Sequence, residues 1–279
     1  MLDGLKRHRK FPLFGTGSAL LNTISWQLPT VLLAAFFSPA IVGYYALGTR
    51  LLRLPMSLIG GAIAQAFFPR ATEAKADGTL AGLVEGAFRR LVAFGMFPLL
   101  ILTVVGRDLF VVLFGEAWAE AGVYTQILSV WSFFWFISSP LSTLFVTHER
   151  QEVLLIFNVL IFGSRVLALG AGGLLGDARL ALLLFGGSGI LVYGSMCVSA
   201  LAISGVRMDI VLRILAADFA YFLPAAIVLV VLEQLEVPSL ILVGTSVGCL
   251  AAYGIAVLSR DAGVRRVLRR TGGTVAAKA

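Results

Sequence analysis

Along the chain, apolar residues run in eight stretches, each near membrane-spanning length and set apart by short polar or basic connections: 14–37, 41–67, 91–105, 122–146, 153–175, 180–203, 214–232 and 240–258. A bilayer core about 30 Å thick takes roughly 20 mostly apolar residues as a helix. Such a helix satisfies its own backbone where lipid offers no partner. The pattern predicts an all-α integral membrane protein with about eight transmembrane helices. The third stretch is short, and 108–114 reads as a re-entrant or interfacial turn ahead of the fourth. Between 69 and 90, Leu80, Leu83, Val84, Ala87 and Phe88 recur at helical spacing. That spacing predicts a short amphipathic helix along the inner leaflet.

Charge supplies an orientation. The chain is 59% hydrophobic and 13% charged, about half the charge of a soluble domain. All but five of its 22 basic residues fall on one side of the expected spans: around Lys6 to Lys10, Arg70 and Lys75, Arg89 and Arg90, Arg150, Arg207 and Arg213, and from Arg260 onward. Arg107 and Arg179 fall on the other side, and Arg50, Arg53 and Arg165 lie within spans. The positive-inside rule then puts both termini in the cytoplasm, which agrees with an even number of crossings. The net charge of +7 sits at helix ends rather than in one patch, so a nucleic-acid partner is not expected. Cys197 and Cys249 both fall inside spans and imply no disulfide framework. The basic N-terminus leads into a full-length apolar stretch and further spans, so a cleavable signal is not expected. The 260–279 tail is basic; it suits an anionic membrane surface or simply fixes topology.

Polar groups inside the spans carry the chemistry. An Arg at the bilayer centre costs about 2.5–3.5 kcal/mol on insertion scales. Arg50 and Arg53, three apart, share a helix face and should turn to a cavity or a partner. A guanidinium grips phosphate oxygens in a bidentate fork, so the pair suits an anionic, diphosphate-like substrate; bonding to helix carbonyls, or snorkelling to the outer surface, is the structural alternative. Asn158 and Arg165, seven apart, share a face of the fifth span, with Arg165 at a depth similar to Arg53. Asp218, the acid inside the seventh span, is a possible structural or coupling partner for Arg165. Ser18, Asn22 and Ser25 make a polar stripe on the first span, and Gln126 begins another on the fourth. Such stripes line cavities or bond helices together, at about 0.6 kcal/mol per bond. Asn22, Gln126 and Asn158 therefore join the three arginines as cavity candidates. Pro29, Pro55, Pro140 and Pro224 are expected to kink or open their helices, and Gly244 and Gly248 to permit a close helix contact. His8 and His148 stand at membrane edges, so no metal cluster is expected. No cofactor motif or catalytic constellation emerges, and a non-enzymatic role is expected.

Several stretches resemble the polysaccharide-flippase (O-antigen, Wzx-type) branch of the multidrug/oligosaccharidyl-lipid/polysaccharide exporter superfamily. They are Gly43-Tyr44-Tyr45-Ala46-Leu47-Gly48-Thr49-Arg50, Leu54-Pro55, Ala66-Phe67-Phe68-Pro69-Arg70, Phe114-Gly115-Glu116-Ala117-Trp118, and Phe11-Pro12 with Leu28-Pro29. The resemblance implies a bacterial cytoplasmic-membrane protein that moves a polyprenyl-diphosphate-linked oligosaccharide between leaflets through a cavity between two helical lobes. Arg50 falls at the family's basic position. Members usually have twelve to fourteen helices; this chain is similar to the second lobe and the helices beyond it. Residues 1–205 would form a six-helix bundle, 206–259 two additional helices and 260–279 a basic cytoplasmic tail. Partners would be the lipid-linked sugar, membrane lipid and either a missing N-terminal lobe or a second copy. Two other functions stay open: a non-transporting scaffold or truncated remnant, and a drug/cation antiporter of the same superfamily. The antiporter would want buried carboxylates, of which the spans offer one.

Overall fold

The computed structural model describes residues 10–260. The expectations for the first nine residues and for the tail beyond Arg260 lie outside that range. The described residues are helical, with no strand. In chain order the helices are α1 Lys10–Phe36, α2 Pro39–Leu52, α3 Gly61–Ala76, α4 Leu80–Phe114, α5 Ala119–Leu141, α6 Thr143–Thr147, α7 Gln151–Leu174, α8 Ala178–Ile203, α9 Met208–Gln234 and α10 Ser239–Arg260. Seven segments, on α1, α4, α5, α7, α8, α9 and α10, are long and apolar enough to cross a membrane. The chain is a multi-pass membrane protein.

The second expected span, 41–67, is a broken helix. Pro55 brings no N–H and its ring crowds the preceding turn, so α2 stops at Leu52 with Arg53 as its C-cap. A π-helical turn, Met56–Gly60, then leads into α3. The broken helix nonetheless runs the whole height of the bundle beside α5 and α6. Gly48 lies against Ala121 and Thr125 at one end, and the Lys75 ammonium donates to the Thr147 carbonyl oxygen at the other, 2.7 Å away.

Two local expectations give way to one long helix. α4 is continuous for 35 residues with Pro98 inside it, about 52 Å at ~1.5 Å per residue. It absorbs the third span, the amphipathic segment before it and the turn expected at 108–114. The helical spacing at 80–88 is real, but Leu80, Val84, Ala87 and Phe88 are buried in the protein core rather than laid on lipid. The turn instead comes after α4 at Gly115, whose φ of +89° suits a residue without a Cβ.

α5 is the central post, packed by α4, α8 and α2, while α7 pairs with α1 and α8. Its buried Leu128, Trp131, Phe136 and Leu141 belong to the main apolar cluster. α4 and α5 cross with their backbones touching: a Cβ on Gly122 would lie 2.5 Å from the Gly106 carbonyl oxygen. Small residues permit such approaches inside membranes. The expected close contact at Gly244 and Gly248 does not form, since both face open space. α9 and α10 lie on the opposite flank of α4, held by a second cluster in which the Phe97 ring stacks on Tyr253 with centroids 4.3 Å apart.

Candidate functional site

The polar stripe of α1 meets that of α7 in register. Asn158 donates to the Ser18 hydroxyl, and seven residues further along both helices Arg165 donates to the Ser25 carbonyl oxygen. The equal spacing means that α1 and α7 run parallel, as two odd-numbered crossings must. Each rung satisfies a polar group in a setting with no water to do so.

Arg165 is 2% exposed and fully engaged. Its second guanidinium nitrogen donates to the Tyr193 hydroxyl at 3.1 Å. Its planar head lies 4.8 Å from the Trp26 ring centroid and 5.5 Å from that of Phe185. The expected partner Asp218 is not among its contacts. Asp218 sits on the far side of α4, where its carboxylate lies 3.2 Å from the Tyr253 hydroxyl oxygen and shares a cleft with Arg89 and Arg90. The mismatch is one of packing: α9 sits on α4, whereas α7 sits on α1 and α8.

Trp26 divides the region in two. Arg53 also lies 4.8 Å from its ring centroid, so one indole is in contact with two guanidinium groups. Arg53 and Arg50 are both exposed. They line a cleft of about 680 Å³ with Trp26, Gln27, Thr30, Tyr45 and Ser57. No acid pairs with either arginine among the described residues. The break at Pro55 creates this arrangement, because ending α2 at Leu52 leaves Arg53 at a helix end, opposite Trp26. A guanidinium stacked on an indole keeps its edge N–H groups free for an anion.

The second compartment, about 280 Å³, carries no charged side chain. It is walled by Asn22, Asn158, Gln151 and several serines, with Trp26, Trp135 and Tyr193 as aromatic surfaces. Asn22 and Asn158 are thus brought together, with Arg50 and Arg53 next door across Trp26. Gln126 is not: its amide donates to the Val104 carbonyl oxygen at 2.8 Å and pins α5 to α4. Sequence reasoning passed over Trp26, although it stands one helical turn after Asn22 on the same face. It also passed over Trp135 and Tyr193, which carry no signal until α5 and α8 are packed.

Two of the motif stretches meet beside the cleft, and the 43–50 stretch also supplies part of its wall. Tyr44 meets Trp118 edge-on at 5.8 Å and Tyr124 at 6.4 Å, and Trp118 packs on Phe114 at 6.4 Å. The Gly-Tyr-Tyr segment and the Phe-Gly-x-x-Trp segment therefore form one aromatic clasp at the end of the bundle remote from Lys75. The aromatic pairs act as a staple, while Arg50 and Arg53 from the same helix face the cleft.

Comparison with known proteins agrees with the motifs. A family described as "Polysaccharide biosynthesis protein" matches residues 2–123, the part that carries the motifs named above. The teichuronic acid biosynthesis protein TuaB of Bacillus subtilis is 24% identical over 174 residues, 58% of this chain and 36% of that protein. The lipopolysaccharide biosynthesis protein WzxC of Escherichia coli is 25% identical over 153 residues, 54% and 31% of the two chains. An uncharacterized membrane protein in the cps region of Klebsiella pneumoniae is 23% identical over 158 residues, 56% and 33%. The chain spans about a third of the length of these relatives. No solved structure matches it. The resemblance to membrane proteins of polysaccharide biosynthesis stands on these matches.

Proposed function

We propose that this chain, a relative of polysaccharide-biosynthesis membrane proteins, is one lobe of an exporter that carries a polyprenyl-diphosphate-linked oligosaccharide across the bacterial cytoplasmic membrane. The observation that carries the reading is the cleft at Arg50 and Arg53. Two exposed guanidinium groups inside a chain that is 13% charged, with no acid paired to either among the described residues, suit an anion supplied from outside the chain. A diphosphate fits best, because it offers oxygens to both forks at once. The polyprenyl tail stays in lipid beside α1 and the π-helical turn, where Leu20, Ile24, Val31 and Leu58 are apolar and exposed. A second lobe, from another chain or another copy, closes the cleft and completes a central cavity. The end of the bundle that carries Lys75, Arg89 and Arg150 faces the cytoplasm, where the substrate is assembled. No step of bond chemistry is required; the work is to bind the headgroup differently in two open states, which is what gives a cycle direction.

The test is complementation in a strain whose surface polysaccharide depends on this gene. A charge-assisted hydrogen bond contributes about 1.5–3 kcal/mol, so Arg50→Ala and Arg53→Ala should each lower exported polysaccharide tenfold or more at unchanged abundance in the membrane. Wild-type surface polysaccharide from the double variant would overturn the reading.

A further inference from the structure

The uncharged compartment behind Trp26 is not needed to hold a diphosphate. It has no cation, yet it is rich in carboxamides with unused hydrogen-bonding capacity. Asn158 is 7% exposed. Its amide nitrogen is spent on Ser18 and on the Leu154 carbonyl oxygen, the latter at 3.1 Å, while its Oδ1 accepts from no described residue. Gln151, 9% exposed, lines the same cavity with no side-chain bond to another described residue. Asn22 is exposed to the cavity on the facing helix and is likewise unbonded among the described residues. Carboxamide atoms that open onto a cavity and are not spent within the bundle are free to engage a ligand there.

The aromatic walls complete a recognisable chemistry. Trp26 and Trp135 meet edge to face, with centroids 4.9 Å apart, and Tyr193 closes the back of the cavity while its hydroxyl is held by Arg165. An indole face packs well on the C–H-lined face of a pyranose, and carboxamides both donate to and accept from its hydroxyls. A charged ligand would find no charged side chain in the lining, and Arg165 behind Tyr193 is already bonded. A purely apolar one would strand three carboxamides. A cavity of about 280 Å³ is just below the usual range of small-molecule sites, which run from roughly 300 Å³ upward. It suits the first sugar rather than a whole oligosaccharide.

We infer that this cavity, lined by Asn22, Asn158, Gln151, Trp26 and Trp135, is a subsite for a neutral pyranose, the sugar attached directly to the diphosphate held at Arg50 and Arg53. The inference rests on the reading of the arginine cleft given above. Trp26 belongs to both compartments: it carries Arg53 over its ring and borders the carboxamides. The two halves of the headgroup, anionic and neutral, thereby meet complementary surfaces across a single side chain. The arginine cleft reads the part that every such carrier lipid has, and the carboxamide cavity reads the part that distinguishes one lipid-linked sugar from another.

The protein in lipid nanodiscs is titrated with undecaprenyl diphosphate, and with undecaprenyl diphosphate bearing a single glucose, galactose or N-acetylglucosamine, with tryptophan fluorescence as the readout. At least one glycosylated lipid should bind about tenfold more tightly than the bare diphosphate. Asn158→Leu should abolish that difference and leave bare-lipid affinity unchanged. Asn22→Leu, at an exposed position with no bond to lose, should do the same without any effect on folding. Equal affinity for bare and glycosylated lipids in the wild type, or a preference that survives both substitutions, overturns the sugar subsite alone. Failure to bind either kind of lipid, or binding indifferent to Arg50→Gln and Arg53→Gln, overturns the diphosphate reading itself.

Discussion

Arg50, Arg53 and Arg165 look alike in sequence, each a cation inside an apolar stretch, and the fold gives them different jobs. Arg165 is locked by Ser25, Tyr193, Trp26 and Phe185, so it holds α1, α7 and α8 together and keeps Trp26 in place. Removing it leaves a buried hydroxyl and carbonyl unpaired, at about 1–3 kcal/mol each, and deletes a stacked cation. Arg165→Ala should therefore lower stability by several kcal/mol, seen as a fall in the thermal midpoint of the detergent-solubilised protein. Arg165→Lys should rescue little of it, because an ammonium cannot reproduce the planar fork. Arg50→Ala, at an exposed and unpaired position, should leave the midpoint within about 0.5 kcal/mol of wild type. Equal losses for Arg50→Ala and Arg165→Ala would mean that both arginines are structural. The sequence made the positions of all three plain, since an Arg in an apolar run is costly wherever it points. Which of them found partners depended on how other helices pack, one of them 140 residues away.

At the level of elements, the departures from the sequence pattern have specific causes. Pro55 divides one expected span, and the division places Arg53 opposite Trp26. The α4 helix is longer than any bilayer requires because its first turns are packed by α3 and the main core rather than by lipid. Helix contacts are decided by which glycines face each other. Gly106 and Gly122 meet with their backbones in contact, and Gly172 lies against Ala181, whereas the more regular Gly244 and Gly248 pair faces open space. Gly122→Leu must drive α4 and α5 apart, since its Cβ alone would sit 2.6 Å from the Arg107 Cα. Overpacking commonly costs about 1–3 kcal/mol or more; with backbone on the other side, the upper end is expected. Gly248→Leu should be neutral. Yield of monodisperse protein after solubilisation separates the two, and equal yields would contradict the α4–α5 crossing.

The whole molecule is a bundle whose helix directions agree with the order of crossings. α1 and α7 run parallel, at one constant offset through Ser18–Asn158 and Ser25–Arg165. α4 and α10 run antiparallel, tied by the Ser239 hydroxyl donating to the Asp108 carboxylate at 2.6 Å and the Tyr253 hydroxyl donating to the Ala93 carbonyl oxygen at 2.7 Å. The proposed orientation is testable at this scale. In a background with Cys197 and Cys249 replaced by Ser, Arg179→Cys should react with a membrane-impermeant maleimide added outside intact spheroplasts. Arg207→Cys, at the opposite end, should react only after permeabilisation. The reverse pattern would invert the topology and put the basic end of the bundle outside.

The sequence by itself determined the class, most of the spans, the basic end, and the residues too polar to be idle in a membrane. Those come from local rules: backbone satisfaction, hydropathy over one helix length, and the cost of a charge in lipid. Tertiary structure alone decided that Gln126 ties two helices, that Asp218 and Arg165 lie on opposite sides of α4, and that Trp26 separates a cationic cleft from an uncharged one. Each of those depends on which faces of distant helices come together. That choice is made by packing among side chains of equal hydrophobicity, and no local pattern records it.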